Sequence, residues 1–263
     1  MLLASSCRFG RKRATASAFA PVVARLEQAR LVLRRWSVPT ALVTGANRGL
    51  GLAFVRAYAS RGFRVHACCR RPEQAHQLRR LAGDITLHRW DARDPTAARM
   101  LADRLAGEGI DHLIACAAIA GPNDPPEALD VPAWFETLLV NCIAPLQLAA
   151  ALSRHVAQSH ERKIIAISSS LASIGDNRTG GLWAYRCSKA ALNMAWRNLA
   201  IDLRGAGIIC ALLDPGWVRT DLGGPAAPLS PEESVRGMLA VIDRLRPEDS
   251  GSFLSWRGEL RPW

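Results

Sequence analysis

Tyr185 and Lys189 are the first residues to suggest chemistry, in the stretch Tyr185-Arg186-Cys187-Ser188-Lys189. The chain has only two tyrosines, and only three lysines among its 34 lysines and arginines, so both residue types are rare here. On a helix, residues four positions apart share one face. A phenol, whose ordinary pKa is about 10, ionises more readily beside an ammonium group. The spacing therefore predicts a proton donor, although so short a pattern also falls by chance on surface helices.

A glycine-rich turn, Thr44-Gly45-Ala46-Asn47-Arg48-Gly49-Leu50-Gly51, follows an apolar run and opens a helical pattern. Glycines at these positions allow a tight turn and close approach of the backbone to a pyrophosphate, and the helix start offers free N–H groups to it. An ordinary glycine-rich loop is the alternative, but the strand-to-helix setting favours a dinucleotide site. We expect the cofactor to contact Gly45, Asn47, Arg48, Gly49, Leu50 and Gly51.

The second predicted strand ends in Cys68-Cys69-Arg70-Arg71, and this end bears on the choice of cofactor. A site for NAD(H) usually places Asp or Glu there for the ribose hydroxyls, whereas Arg suits a 2′-phosphate. Arg70, joined by Arg48 from the glycine turn, therefore predicts NADP(H). The alternative is that arginine is simply abundant in this chain, in which case Arg70 carries no information.

Strand and helix patterns alternate from residue 38 onward. The apolar runs are continuous rather than alternating, which is typical of parallel strands covered on both faces. They cover residues 41–44, 63–69, 85–91, 112–119, 163–169, 208–213 and 252–255, and helical stretches cover 50–60, 73–81, 96–106, 133–159, 185–204 and 231–245. This order predicts an α/β fold, a single doubly wound Rossmann-type parallel sheet of about seven strands with helices on both faces, in one domain over 38–263.

Residues 1–37 form an N-terminal basic extension with eight basic side chains and a single acid, Glu27. Such a composition, rich in Arg, Ser and Ala, is typical of an organelle transit peptide and predicts a mitochondrial targeting segment. The alternatives are a disordered extension or an upstream stretch translated from a permissive start codon, with the protein in the cytoplasm.

The formal net charge of +11 is concentrated in that extension, and the remaining chain is only mildly basic. No basic stripe interleaved with aromatic residues occurs, so we do not expect nucleic-acid binding. The seven cysteines show no spacing of metal ligands, and we expect no metal and a reducing compartment. No run of 18 apolar residues is present, so no membrane span is expected.

Taken together, these motifs resemble the short-chain dehydrogenase/reductase family, over residues 38–263. The shared features are the glycine turn, Asp91 after the third strand, Asn141 in the long helix, Ile167-Ser168-Ser169, the Tyr185 and Lys189 pair, and Pro215-Gly216-Trp217-Val218-Arg219-Thr220. Within the family, Ile174-Gly175-Asp176-Asn177, Gly223-Gly224-Pro225 and Trp263 are similar to C-factor and sniffer-type carbonyl reductases.

The resemblance implies a role for each matching residue. Tyr185 would be the proton donor or acceptor, Ser169 would bind the substrate carbonyl oxygen, Lys189 would bind the nicotinamide ribose and lower the pKa of Tyr185, and Asn141 would hold a water in a proton relay. Asp91 would bind adenine, and Ala117, Pro215, Gly216, Val218 and Thr220 would also contact the cofactor. Ser168 and Ser170 are rivals of Ser169, but strand alternation sends them to the opposite face.

One segment departs from the family pattern. The fourth strand usually ends in Asn-Asn-Ala-Gly, whereas this chain has Ala115-Cys116-Ala117-Ala118. The change removes a polar tie across the sheet and adds a methyl group near the cofactor. The resemblance implies an NADP(H)-dependent oxidoreductase acting on a small-molecule carbonyl or alcohol, as a homo-oligomer such as a dimer. The alternative is a non-catalytic NADP(H)-binding signalling or regulatory protein, although such a protein has no need of Tyr185.

Overall fold

A single sheet of seven parallel strands forms the centre of the protein. The computed structural model describes residues 38–263, and the predicted targeting segment 1–37 lies outside them. The strands are β1 Thr40–Thr44, β2 Arg64–Cys69, β3 Ile85–Arg89, β4 His112–Ala115, β5 Lys163–Ile167, β6 Ile209–Asp214 and β7 Phe253–Ser255. Their order across the sheet is β3-β2-β1-β4-β5-β6-β7, and every pair is parallel. The predicted α/β doubly wound fold is confirmed.

The strands are apolar throughout because both faces of the sheet are covered. Leu42 and Leu113 point into one hydrophobic cluster, and their neighbours Val43 and Ile114 point into the other. The helices are α1 Gly49–Ser60, α2 His76–Arg79, α3 Ala97–Arg104, α4 Val131–Leu138, α5 Ala144–Ala157, α6 Trp183–Asp202 and α7 Pro231–Arg244. Helices α1 and α7 cover the second cluster, and α3, α5 and α6 cover the first.

The long helix predicted over 133–159 is interrupted. A π-helical turn, Leu139–Ile143, separates α4 from α5, and such turns are often found at functional sites. The helix also starts earlier than predicted, because the side chain of Asp130 accepts a hydrogen bond from the backbone of Ala133 (3.0 Å). Together Val131–Ala157 are long and apolar enough to cross a membrane, but half of that stretch is buried within the protein. We interpret it as a core helix.

Other boundaries of strands and helices differ from the predictions mainly where the chain leaves the sheet. Strands β4 and β5 end at Ala115 and Ile167, although the apolar runs continue. The helix predicted over 73–81 is shortened to a 3-10 turn, Pro72–Gln74, followed by the four residues of α2. The rest of the two predicted strands, the apolar residues 116–119 after β4 and the serines Ser168 and Ser169 after β5, lines a cleft.

The other described tyrosine and lysine lie at the opposite, amino end of the sheet. The hydroxyl of Tyr58 lies 2.9 Å from His112 Nδ1, and His112 Nε2 lies 2.8 Å from a carboxylate oxygen of Glu161. The ammonium of Lys163 donates to the same carboxylate at 2.6 Å. The polar groups of these side chains therefore pair with one another, away from the cleft.

Candidate active site

A cleft of about 750 Å³ opens at the carboxyl end of the sheet, where ligands of doubly wound folds bind. The structure brings most of the predicted site residues to its walls: Gly45, Arg48, Gly49, Leu50, Gly51, Arg70, Asp91, Ala117, Ser169, Tyr185, Lys189, Pro215, Gly216, Val218 and Thr220. Two predicted residues do not line it. Asn47 is exposed outside the cleft, and Asn141 is buried beneath it.

The glycine turn has the backbone that the motif predicts. Gly45 and Gly49 have φ of +66° and +53°, which side-chain-bearing residues rarely adopt. A Cβ atom on Gly51 would lie 2.2 Å from the carbonyl oxygen of Gly45, so only glycine fits there. Helix α1 has no side-chain cap and no acid in its first turn, so its first N–H groups face the cleft unneutralised. This arrangement fits a dinucleotide pyrophosphate.

Two arginines flank the part of the cleft where a 2′-phosphate would lie. Arg70 is exposed and follows directly on the buried Cys69, with no acid at that position. Arg48 is already paired, because its guanidinium contacts the carboxylate of Asp221 across the cleft mouth. Arg70 is therefore the better placed of the two predicted phosphate ligands.

Asp91 lies at the wall of the cleft beyond β3. One of its carboxylate oxygens accepts a hydrogen bond from the backbone of Arg93 (3.1 Å), and the side chain of Arg93 forms an ion pair with Glu136. Trp90 also lines this wall and is buried, and its Nε1 has no hydrogen-bond partner among residues 38–263. Sequence reasoning found Asp91 but missed Trp90 and Arg93.

Tyr185, Lys189 and Ser169 converge on one side of the cleft. The start of α6 carries Tyr185 and Lys189 on its sheet-facing side, and both are buried. The ammonium of Lys189 donates to the carbonyl oxygen of Ile167 (2.7 Å) and lies 5.8 Å from the ring centroid of Tyr185. Ser169 follows β5, and its hydroxyl is close enough to Tyr185 to lower the pKa of the phenol.

Burial is the largest contribution to the pKa shifts of Tyr185 and Lys189. It raises the pKa of Tyr185 to about 12, and the hydrogen bond with Ser169 only partly opposes that rise. Burial also lowers the pKa of Lys189 to about 8, partly opposed by the nearby thiols of Cys116 and Cys142. Desolvation of the phenolate is the largest of the contributions to this pKa, and the expectation that Lys189 lowers the pKa of Tyr185 stays a prediction.

The three adjacent serines differ in their surroundings. The hydroxyl of Ser168 donates to Asn193 Oδ1 (2.6 Å) in the core, so it is already committed. Ser169 is partly exposed in the cleft, and its oxygen accepts a hydrogen bond from the backbone of Leu171 (3.2 Å). Its hydroxyl therefore lies on the cleft wall beside Tyr185.

Asn141 occupies the π turn under the cleft floor. Its Oδ1 accepts from the backbone N–H of Ile119 (2.9 Å), and its Nδ2 donates to the carbonyl of Ile119 (2.9 Å) and the hydroxyl of Ser188 (3.0 Å). Both amide protons are thereby used, so the side chain has no further donor for a water molecule. The structure gives this side chain a positioning contact rather than a place in the cleft.

The unusual end of β4 is tied to β1 in another way. The hydroxyl of Thr44 accepts hydrogen bonds from the backbone N–H groups of Cys116 (3.0 Å) and Ala117 (3.2 Å). A single side chain of the glycine turn therefore holds the segment in which the usual asparagines are missing.

Apolar side chains form the remaining walls of the cleft, and none of them is among the predicted catalytic or cofactor-binding residues. They are Ile119, Leu171, Leu182, Trp217 and Leu222. All lie in connections between strands and helices, where no periodic pattern marks them. Trp217 is 57% exposed, and its indole N–H donates to the carbonyl of Gly223 (2.7 Å).

Comparison with known proteins agrees with this geometry. The family model described as short chain dehydrogenase matches residues 39–228. The chain belongs to the short-chain dehydrogenase family. The family resemblance predicted from the motifs is therefore confirmed.

Two curated relatives show how far the similarity extends. C-signal of Myxococcus xanthus is 41% identical over 165 residues, which are 63% of this chain and 99% of the relative. The 1-hydroxy-2-glutathionyl-2-methyl-3-butene dehydrogenase of Rhodococcus sp. (strain AD45) is 32% identical over 231 residues, 85% of this chain and 99% of the relative.

Two solved structures are similar over 86% of this chain. One is an NADPH-bound carbonyl reductase from chicken fatty liver, with 36% identity, 99% of that chain covered and a TM-score of 0.80. The other is the carbonyl reductase Sniffer of D. melanogaster, with 33% identity, 100% of that chain covered and a TM-score of 0.80.

Proposed function

We propose that this protein is an NADP(H)-dependent oxidoreductase that transfers a hydride between the nicotinamide and a small-molecule carbonyl or alcohol. The convergence of Tyr185, Ser169 and Lys189 in one apolar cleft beside the glycine turn carries the proposal. The NADPH-bound carbonyl reductase of similar fold, and Arg70 in place of an acid, support the choice of the phosphorylated cofactor.

Bound NADPH would supply the hydride, and the protein groups manage the proton. The substrate carbonyl oxygen accepts hydrogen bonds from Ser169 and Tyr185, so that negative charge developing on it meets donors already in place. Tyr185 then donates its proton to that oxygen. At neutral pH the phenol of Tyr185 is protonated, and burial, which raises its pKa to about 12, favours that form while making the phenol a weaker acid.

The test is turnover of a panel of neutral ketones, aldehydes and quinones by the purified protein with NADPH. Tyr185→Phe keeps the ring, and we expect NADPH binding and the melting temperature to persist while kcat falls by about 10²–10⁴-fold, the usual loss for a general acid. Tyr58→Phe is the matched control, because Tyr58 lies in the core and away from the cleft. It should change stability but not kcat. A Tyr185→Phe variant with near-native turnover would refute the proton-donor assignment.

A second candidate is a non-catalytic NADP(H)-binding signalling protein, which the similarity to C-signal favours. It predicts tight NADPH binding without turnover of any compound in the panel. In that case Tyr185→Phe would leave both binding and biological activity intact.

Localisation and assembly remain proposals. We propose that residues 1–37 target the protein to mitochondria and that the folded domain forms a homo-oligomer. A fluorescent fusion and analytical ultracentrifugation test these two statements separately.

A further inference from the structure

A short turn outside the sheet presents Ser169 to the cleft. Ser169 precedes the 3-10 turn Ser170–Ala172, and its hydroxyl oxygen accepts a hydrogen bond from the backbone N–H of Leu171 (3.2 Å). The carbonyl of Ser169 accepts from the N–H of Ala172 (2.9 Å). The placement of the Ser169 hydroxyl on the cleft wall therefore depends on the placement of this turn.

Ser173 ends the turn and connects it to Trp263. Ser173 is 3% exposed, and its hydroxyl donates to the carbonyl oxygen of Trp263 (3.2 Å) while accepting from the N–H of Asp176 (3.1 Å). The N–H of Gly175 donates to the same carbonyl of Trp263 (2.9 Å). Two donors from this loop thus converge on a single carbonyl oxygen.

The backbone around Trp263 is in turn attached to the sheet. The indole of Trp263 packs against the buried ring of Phe253 on β7, with the ring centroids 5.9 Å apart and the planes tilted by 32°. Two residues earlier, the N–H of Arg261 donates to the carbonyl of Phe253 (2.8 Å), and Arg261 Nη2 lies 2.8 Å from Asp214 Oδ2 at the end of β6. Contacts to β6 and β7 therefore hold the carbonyl on which the loop depends.

The side chain of Trp263 contributes little to the hydrophobic core, because it is 49% exposed. Its contacts are directed at one strand and one loop instead. Regions with few buried contacts open locally without unfolding of the whole domain. We therefore expect a change at this residue to release the loop while the sheet stays folded.

We propose that Trp263 is a positioning residue of the active site, which fixes the loop 170–176 and thereby holds the hydroxyl of Ser169 at the cleft wall beside Tyr185. The proposal rests on the proposed function for the part that Ser169 plays in catalysis. The contacts that carry it do not depend on turnover. A displacement of a reacting group by about 1 Å can cost on the order of 10²-fold in rate, so a loosened turn has a measurable effect.

Four variants test the proposal. Trp263→Ala removes the ring that anchors the carbonyl, whereas Trp263→Phe keeps an aromatic ring against Phe253. Ser173→Ala removes one donor from the opposite partner of the same contact, and it decides the question if Trp263→Ala does not fold. Leu260→Ala is the matched control, because Leu260 is 76% exposed in the same segment.

The first readout is amide hydrogen exchange, which needs no substrate. In Trp263→Ala and Ser173→Ala we expect the N–H groups of Leu171 and Gly175 to exchange at least about fivefold faster than in the native protein, as follows from the loss of one hydrogen bond. Exchange in β5 should stay native, and Trp263→Phe and the control should match the native protein throughout. Faster exchange in all strands, or native exchange at Leu171 in either folded variant, would overturn the proposal.

The second readout is steady-state kinetics with a substrate from the carbonyl panel. Trp263→Ala should lower kcat by about tenfold, which is less than the loss of about 10²–10³-fold that follows from deleting an oxyanion donor outright. The Kd of NADPH should stay native, because the glycine turn is unchanged, and Trp263→Phe should restore kcat.

The two readouts separate this inference from the proposed function. Native kcat in Trp263→Ala, together with faster exchange at Leu171, would show that the loop is anchored without positioning Ser169 and would overturn the proposal. Absence of turnover by the native protein, with the local exchange effect present, would instead contradict the proposed function and leave the anchoring of the loop by Trp263 standing.

Discussion

Replacing Lys189 by methionine should make the protein more stable at neutral pH while abolishing its activity. Burial lowers the pKa of this ammonium from its ordinary 10.5 to about 8, which corresponds to roughly 3 kcal/mol of destabilisation of the charged, folded form. Methionine has a similar length and no charge. It removes that penalty but also the hydrogen bond to the carbonyl of Ile167 (2.7 Å).

An unpaired buried carbonyl costs about 1–3 kcal/mol, so the net gain at pH 7 should be near 1 kcal/mol. For a domain of this size that gain corresponds to a melting temperature about 2–4 °C higher. The sign of the difference in stability between Lys189→Met and the native protein must change with pH. Between about pH 8 and 10.5 the unfolded lysine binds a proton that the folded lysine has lost, so the native protein gains stability as pH rises through this window.

The assay is thermal unfolding of the native protein and Lys189→Met between pH 6 and 10.5, with kcat measured on the same samples. Lys189→Met should melt above the native protein below pH 8 and below it near pH 10.5. Lys163→Met is the matched control, because the ammonium of Lys163 is paired with the carboxylate of Glu161 (2.6 Å). That variant should melt lower at every pH. A Lys189→Met variant that melts below the native protein by the same amount at every pH would refute the reasoning.

Three further predictions concern the cofactor and the extension. Arg70→Ala should weaken NADPH binding by at least about tenfold and NADH binding little, because it deletes one charge-assisted contact to a phosphate. Fluorescence titration with both cofactors measures the ratio of the two affinities. Equal losses of affinity for NADPH and NADH would contradict the prediction. Gly51→Ala should abolish binding of both cofactors, because the new Cβ would lie 2.2 Å from the carbonyl oxygen of Gly45. Gly205→Ala is the control for an added methyl group, because a Cβ there would meet nothing within 4 Å. A chain beginning at Val38 should melt within about 2 °C of the full chain, and a loss of several degrees would show that residues 1–37 pack on the domain.

The succession of strands and helices along the chain and the position of the glycine turn were predictable, because both depend on local patterns. Continuous apolar runs mark strands covered on both faces, and the turn needs glycine at Gly45 and Gly51 for reasons of backbone geometry alone. The Tyr185 and Lys189 pair was also found from spacing, and the structure places both side chains in the same cleft.

The differences arise where tertiary packing overrides local pattern. The apolar residues after Ala115 and the serines after Ile167 were predicted to be strand, but they leave the sheet and line the cleft. No sequence signal distinguishes a π turn around Asn141 from an ordinary helix, because the turn depends on hydrogen bonds to Ile119, a residue distant in the chain. The extent to which Tyr185 is buried could not be predicted either, since burial is a property of the whole fold.

The pairing of the Asn141 amide with the peptide of Ile119 has the donor and acceptor pattern of one rung of a β ladder. A helix side chain thus pairs with the backbone of Ile119, four residues beyond the end of β4. The floor of the cleft is fixed by the packing of a core helix, whereas its mouth is formed by loops. Substitutions in the loops can therefore change which ligands bind without changing the packing of the floor of the cleft.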